Sequence, residues 1–322
     1  MGRHGLYYRT TLPGSSIPTP RSRPRGTFQP TPSRDTLAEI ESGAVEGMTH
    51  SSSAALLEEI RRKRALLRLW PCVLLAAPPI WLGLAIVAPA WLSVPGLILV
   101  PLAIAWTARR DHLRKAVVLM YDFEPEAQAG YQAFHDGFEW LATARRTWHL
   151  EAQGATRDWK KQAGATSLVR RRLISPRPQD PPALTTNIAI PAIPVGRQTL
   201  YFLPDRLLVF EGSSVGAVGY EQLVVAVSET RFIEDEGVPE DAEVVGSTWK
   251  YVNKSGGPDR RFKDNRQLPI AFYAEVRFSS STGLNEALQV SNRKAAEYLA
   301  SGLQVLTASL AVTSDDTTRE AQ

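Results

Sequence analysis

Between positions 252 and 269 the chain gathers Lys254, Arg260, Arg261, Lys263 and Arg266 around Asp259 and Asp264, with Phe262 in their midst. Guanidinium forks and ammonium groups at that density match the oxygens of a phosphate or a carboxylate, so these five cations are the candidate ligand-binding residues. The same loop admits a second chemistry. With a bound metal ion, Asp259, Arg260 and Asp264 would form the working parts of a phosphoesterase or nuclease. A third reading needs no ligand, because Asp–Arg pairs facing each other would fix a long loop internally. Carboxylates converging in a cleft would favour the enzyme; mutual Asp–Arg pairs would favour a binding or interaction module.

Other familiar chemistries are poorly supplied. No histidine follows His149, so the region beyond it cannot by itself assemble a Ser-His-Asp triad or a His-ligated metal. The acidic runs Glu234-Asp235-Glu236 and Glu240-Asp241, with Glu243, lack the spacing of a calcium loop and read as solvated turns. Gly256-Gly257-Pro258 is a turn signal, not a phosphate-cradling glycine loop. Cys72 is the single cysteine, which leaves no disulfide within the chain, suits a reducing compartment and, with the rest, gives no reason to expect a cofactor.

The elements that must position the loop are strands. Short β-branched and aromatic runs at 198–202, 206–211, 223–228, 242–251 and 270–278 predict an antiparallel domain, with tight turns at 203–206 and 211–214. A helix is expected from Asn292, capped by Ser291 or Asn292 and presenting Ala295, Leu299, Leu303, Leu306 and Leu310 on one face. Strands closed by one helix form the layout of a pleckstrin-homology-like fold. The string Tyr201-Phe-Leu-Pro-Asp-Arg-Leu-Leu-Val-Phe-Glu-Gly, continuing to Gly216-Ala-Val-Gly-Tyr220, looks like the opening hairpins of bacterial members of that superfamily.

Upstream, residues 69–108 contain no Asp, Glu, Lys, Arg or His. As one helix they would run roughly 60 Å, about twice a hydrocarbon core, so two membrane helices broken at Ala88-Pro89-Ala90-Trp91 are expected. Arg61, Arg62, Lys63, Arg64 and Arg68 precede the stretch, and Arg109, Arg110, Arg114 and Lys115 follow it. Basic residues at both outer ends predict a hairpin with both chain termini in the cytoplasm, and Trp70, Trp106 and Trp91 fall at its expected boundaries. The competing readings are a buried core of a soluble helical domain and a re-entrant hairpin that never crosses. Basic residues dominate up to about position 179 and acidic ones beyond it. That split directs the positive charge toward anionic inner-leaflet lipid, through Arg61, Arg62, Lys63, Arg64, Arg170, Arg171 and Arg172, and argues against nucleic acid.

The expected fold class is an α+β membrane protein: a two-helix transmembrane hairpin, a helical stalk and an antiparallel β domain closed by a C-terminal helix. Residues 1–50 are expected to be largely disordered, since 12–32 is rich in Pro, Ser, Thr and Arg, with a short helix from Asp35 to Gly43. A juxtamembrane helix at 51–68 leads to the hairpin. The span 109–183 is read as a stalk, with Tyr131, Phe134, Phe138, Leu141 and Trp148 at helical spacing as a packing face, followed by a basic Pro-rich linker. The β domain takes 184–310 and a disordered tail 311–322. Residues 1–20 lack the apolar core of a signal peptide, and Leu6 stands where a myristoylation motif needs Ser or Thr.

From the hairpin through Val290, the runs Val195-Gly-Arg-Gln-Thr-Leu-Tyr-Phe, Arg231-Phe-Ile-Glu-Asp, Gly257-Pro-Asp-Arg-Arg-Phe-Lys-Asp-Asn-Arg-Gln and Gly283-Leu-Asn-Glu resemble a family of uncharacterised bacterial two-helix membrane proteins with a cytoplasmic β-rich C-terminal domain. In that family a small β-rich N-terminal domain of unknown function precedes the hairpin. Here Gly2-Arg-His-Gly-Leu-Tyr-Tyr-Arg-Thr-Thr is similar only to that domain's last strand, which suggests a truncated or mis-started chain. The resemblance implies a topology and a shared fold, and no activity. Together these readings predict a membrane-tethered cytoplasmic interaction or sensor module of the bacterial cytoplasmic membrane with a protein partner. The alternative is the metal-dependent phosphoesterase or nuclease at 252–269.

Overall fold

The computed structural model describes residues 5–10, 37–48, 53–87, 89, 91, 94–123, 125–155 and 160–320. The disorder expected over 12–32 lies outside these residues. The amino-terminal elements are β1 (Gly5–Thr10), β2 (Ala38–Glu39) and a 3-10 turn at Val45–Gly47. Helices α1 (Ala54–Ala65), α2 (Trp70–Val87) and α3 (Gly96–Lys115) follow, then β3 (Val117–Leu119) and α4 (Pro125–Thr143). The strands β4 (Thr147–Ala155), β5 (Ser167–Ile174), β6 (Arg177–Pro178), β7 (Leu184–Thr186), β8 (Pro191–Val195), β9 (Gln198–Phe202), β10 (Arg206–Glu211) and β11 (Ser214–Gly219) come next. Then come β12 (Leu223–Ile233), β13 (Glu243–Trp249), β14 (Gln267–Ser280) and β15 (Asn285–Val290), and α5 (Arg293–Glu320) closes the described chain.

The chain is α+β, and its main sheets are antiparallel. Strands β8 to β11 form a meander with β6 at one edge. The larger sheet pairs β12 with β1, β1 with β5, β5 with β4, β4 with β15, β15 with β14 and β14 back with β12, so six strands close into a ring. Closure depends on the length of β14. One of its edges is taken by β12 along 270–280, while the other is shared by β13 along 267–272 and β15 along 274–279. Side chains alternate between the faces of a strand. Ala271 and Tyr273 accordingly join Trp148, Phe232 and Ala287 in one cluster, while Ala274, Val276 and Phe278 join the core shared with α4, α5 and the meander.

A charge sits in the first of these clusters. The Arg171 guanidinium lies 3.9 Å from the ring centre of Trp148 and 4.1 Å from that of Phe232, and it bonds both carboxylate oxygens of Glu234 at 2.7 and 2.8 Å. Tyr273 donates to the same carboxylate at 2.9 Å; burial first, and then the carboxylate, hold its phenol protonated far above the usual range.

Helices α4 and α5 cross closely because glycine lies at their contact. A Cβ on Gly302 would stand 2.6 Å from the Ala133 carbonyl oxygen, and one on Gly137 would stand 2.5 Å from that of Tyr298. Tyr131, Phe134, Phe138 and Leu141 bury the expected face of α4, and Ala295, Leu299, Leu303 and Leu306 that of α5. Asn292 caps α5 by accepting from the Ala295 amide at 3.3 Å.

Several expected boundaries are corrected. The stalk and linker expected over 109–183 include β4 and β5, which are hydrogen-bonded into the closed ring; the β domain therefore draws on residues well before 184. Trp148 is consequently a strand residue, since pairing with β15 and β5 overrides its helical spacing. Residues 37–48, expected within a disordered segment and partly in a helix, form β2 and a turn that buries Val45 and Met48 against the meander. The tail at 311–322 is helical through Glu320 as an extension of α5.

Residues Ala54–Val87 contain the single stretch, among the described residues, that is long and apolar enough to cross a membrane. Helix α2 buries none of its side chains; Leu75 and Ile86 are more than three-quarters exposed. At eighteen residues it spans about 27 Å, close to a hydrocarbon core. Helix α3 packs on it where Gly96 meets Trp81, and exposes Leu97, Ile98, Leu99 and Leu102. Pro78, Pro79 and Pro101 all fall inside these helices.

Helix α1 is no free leader. Leu57 and Ile60 are buried against Tyr201, Leu208, Phe210 and Val215 of the meander, a burial on the order of 2 kcal/mol each. Arg61 donates to the Val215 carbonyl at 3.1 Å, Lys63 to that of Ala116 at 2.8 Å, and Arg206 to Ser53 at 2.6 Å.

Candidate functional site

The basic loop leaves β13 at Trp249 and returns at Gln267. Its fold follows from side-chain amides that replace a regular ladder. Asn253 accepts from the amides of Ser255 and Gly257 at 3.0 Å each, Asn265 bonds both backbone groups of Tyr251, and the Tyr251 and Phe262 rings stack 4.1 Å apart. Of the five predicted cations, two are internally engaged. Arg261 grips Asp259 through Nε and Nη2, the latter at 2.6 Å, and Arg266 pairs with Asp235. Lys254, Arg260 and Lys263 are exposed, with no ion pair among the described residues.

The electrostatics match that division. The Arg261 hydrogen bonds hold the Asp259 carboxyl down at about 2, and the same contact raises the guanidinium. The folded value lies below the ordinary 3.8, so the stabilisation is complete above that value and is lost as pH falls through about 2. Asp264 is exposed, and among the described residues no three His, Cys, Asp or Glu side chains converge to hold a metal ion. Arg261→Gln is therefore expected to speed trypsin cleavage within the loop while leaving the thermal midpoint of the whole chain unmoved. A midpoint that falls along with it would make the pair a support of the domain.

A second cluster escaped sequence reading. His149 on β4 meets Glu286 on β15 with Nε2 to Oε2 at 2.7 Å, both nearly buried, and Glu286 also accepts from Ser42 at 2.7 Å. The two residues lie 137 positions apart, and only the β4–β15 pairing joins them. Gly196, at φ +58°, closes over the imidazole: a Cβ there would stand 3.3 Å from Cε1. The pair borders a cleft of about 230 Å³ whose rim carries the ion pairs Arg172–Glu151 at 2.9 Å and Arg197–Glu41 at 3.5 Å. It links β4 to β15 within the ring, and Gly196 of the β8–β9 turn covers it.

The third feature is a cavity of about 1000 Å³ where α1 gives way to α2. Arg61, Arg64 and Arg68 enter from one side and Lys115 from the end of α3, with Trp70 and Asp111 in its wall. Asp111 is buried and occupied: its carboxylate accepts from the backbone amides of Leu69 and of Trp70, the latter at 2.8 Å, capping α2 from α3. Arg64 donates to the Gly212 carbonyl and lies 5.3 Å from the Phe210 ring centre.

The seven cations expected to face lipid thus separate. Arg171 is fully buried, because strand alternation turns it into the ring, and it cannot reach a bilayer. Arg172 is held by Glu151, Lys63 by Glu59 and the Ala116 carbonyl. Arg62 is exposed, Arg170 is half-buried and lines the cleft beside His149, and Arg61 and Arg64 line the cavity. No protein-family model, curated protein or solved structure matches this chain.

Proposed function

We propose that this chain is a membrane-tethered interaction or sensor module of the bacterial cytoplasmic membrane, anchored by a hairpin of α2 and α3, with its β-rich domain in the cytoplasm. The observation that carries this reading is the exposed apolar surface of α2 and α3, continuous at its base with a basic helix packed onto the folded domain. Apolar helices of that length with unburied side chains are stable in lipid and a liability in water. The pleckstrin-homology-like reading of the domain is supported by the consecutive hairpins of β8 to β11 and by the helix after β15. The family resemblance carries the same topology.

The module binds a protein segment or an anionic group, and no reaction is assigned to it. Lys254, Arg260 and Lys263, exposed on an ordered loop, are its candidate contacts for an acidic partner. The Asp259–Arg261 pair supports this reading over a metal-dependent phosphoesterase, which needs the Asp259 carboxylate free. Reporter fusions after Thr11 and after Gln322 are expected to read cytoplasmic together. A periplasmic signal at either end would sink the hairpin.

A further inference from the structure

We propose that the 1000 Å³ cavity at the α1–α2 junction holds the phosphate headgroup of an anionic phospholipid, an inference that rests on the membrane reading above and names the ligand of that anchor. Depth is the first argument. The cavity wall includes Trp70, where α2 begins, and Ala108, the last residue before the charges of α3 resume. Both mark the level at which an apolar helix leaves hydrocarbon, so the cavity lies among headgroups, and an acyl chain leaving it would continue along the exposed apolar faces of α2 and α3.

Charge is the second. Arg61, Arg64, Arg68 and Lys115 meet there, opposed within the lining by Asp111 and Asp180. Asp111 is already engaged by two backbone amides, which leaves the donors in excess. Arg68 and Lys115 have no hydrogen bond or ion pair among the described residues. Arg64 spends Nη2 on the Gly212 carbonyl, and its Nη1 is shielded from solvent without a partner. Burial lowers the Arg64 pKa, the direction that an anion beside the guanidinium would reverse. A phosphate diester offers two unesterified oxygens to such forks, and the volume, at the upper end of small-molecule sites, also admits the glycerol backbone.

The ligand chemistry is a phosphate, and its source is the bilayer. The test uses the full chain in phosphatidylcholine nanodiscs with and without phosphatidylglycerol, followed by native mass spectrometry of the lipid retained on release. One phosphatidylglycerol is expected to stay bound in preference to phosphatidylcholine. Arg68→Gln and Lys115→Gln should each weaken that preference about fivefold, and together on the order of twenty-five-fold, without moving the thermal midpoint. Arg62→Gln, on the helix that carries Arg61 and Arg64 but outside the lining, should change nothing. Equal retention of both lipids, or an Arg62 effect as large as that of Arg68, would overturn the site. Inorganic phosphate that stabilises the chain in phosphatidylcholine alone as strongly as phosphatidylglycerol does would assign the cavity to free phosphate and overturn its lipid source. A chain that fails to float with vesicles of either composition removes the membrane reading and the site with it. A chain that floats with both but retains the two lipids equally removes the site alone.

Discussion

Arg171→Met is expected to destabilise the fold by about 3–5 kcal/mol, because it leaves the Glu234 carboxylate buried without its counter-charge. Neither side chain of the pair is exposed at all. Arg171 also gives Nη1 to the Gln289 side chain at 2.7 Å, so its loss strands an acceptor on β15 as well as one after β12. The cost lies in the asymmetry of the change, not in the worth of the intact pair. Arg171→Met combined with Glu234→Leu is therefore expected to recover part of the loss, since an apolar pair of similar volume removes both charges' desolvation while the Gln289 oxygen and the Tyr273 hydroxyl stay unpaired. Thermal and denaturant unfolding of the single and double variants checks this. A single-variant loss below about 1 kcal/mol would mean that water reaches the Glu234 carboxylate once Arg171 is gone.

Gly302→Ala should cost about 1–3 kcal/mol, toward the upper limit, although alanine is the better helix former. The added methyl would stand 2.6 Å from the Ala133 carbonyl oxygen and 2.8 Å from the Phe134 Cα. Both are backbone atoms, so no rotamer change relieves the contact and the helices must separate. Phe134 packs on Phe202 at 5.2 Å and Phe202 on Phe278 at 6.0 Å, so separation loosens the core from α4 through the meander to β14. Gly83→Ala serves as the control, because nothing lies within 4 Å of a Cβ there, and its midpoint should hold or rise. Equal effects at the two positions would remove the close crossing as the cause.

What was legible in the sequence is what is local. The 198–202 and 206–211 strands with their turns, the Asn292 cap and the apolar faces of α4 and α5 all rest on neighbours within a few residues, and they stand where spacing puts them. What was not legible depends on distant pairing. Arg170, Arg171 and Arg172 read as a polybasic run because nothing nearby indicates that Glu234, 63 positions on, waits inside a ring. His149 was set apart from the β domain for the same reason: its partner is Glu286, and β4 belongs to the sheet only through β15. In the basic loop, residue types announced both the cations and their possible Asp partners. Which cations were consumed, Arg261 and Arg266, was a question of register that composition does not answer.

The four residues 66–69 between α1 and α2 have a consequence for encounters. Fully extended, they reach only about 14 Å. With α1 sealed against the meander and α3 running into β3 through Ala116 alone, two short links hold the folded body to α2 and α3, and it cannot tumble freely. In the membrane-anchored arrangement proposed above, one flank then permanently faces the lipid and the opposite flank the cytosol, so an arriving molecule meets a single aspect of the protein. For a partner that is itself membrane-bound, the search becomes lateral and two-dimensional, and orientation is settled before contact. Lengthening the 66–69 link and the one-residue link at Ala116 together, with flexible inserts, is expected to leave the helices and the domain intact and to abolish that alignment.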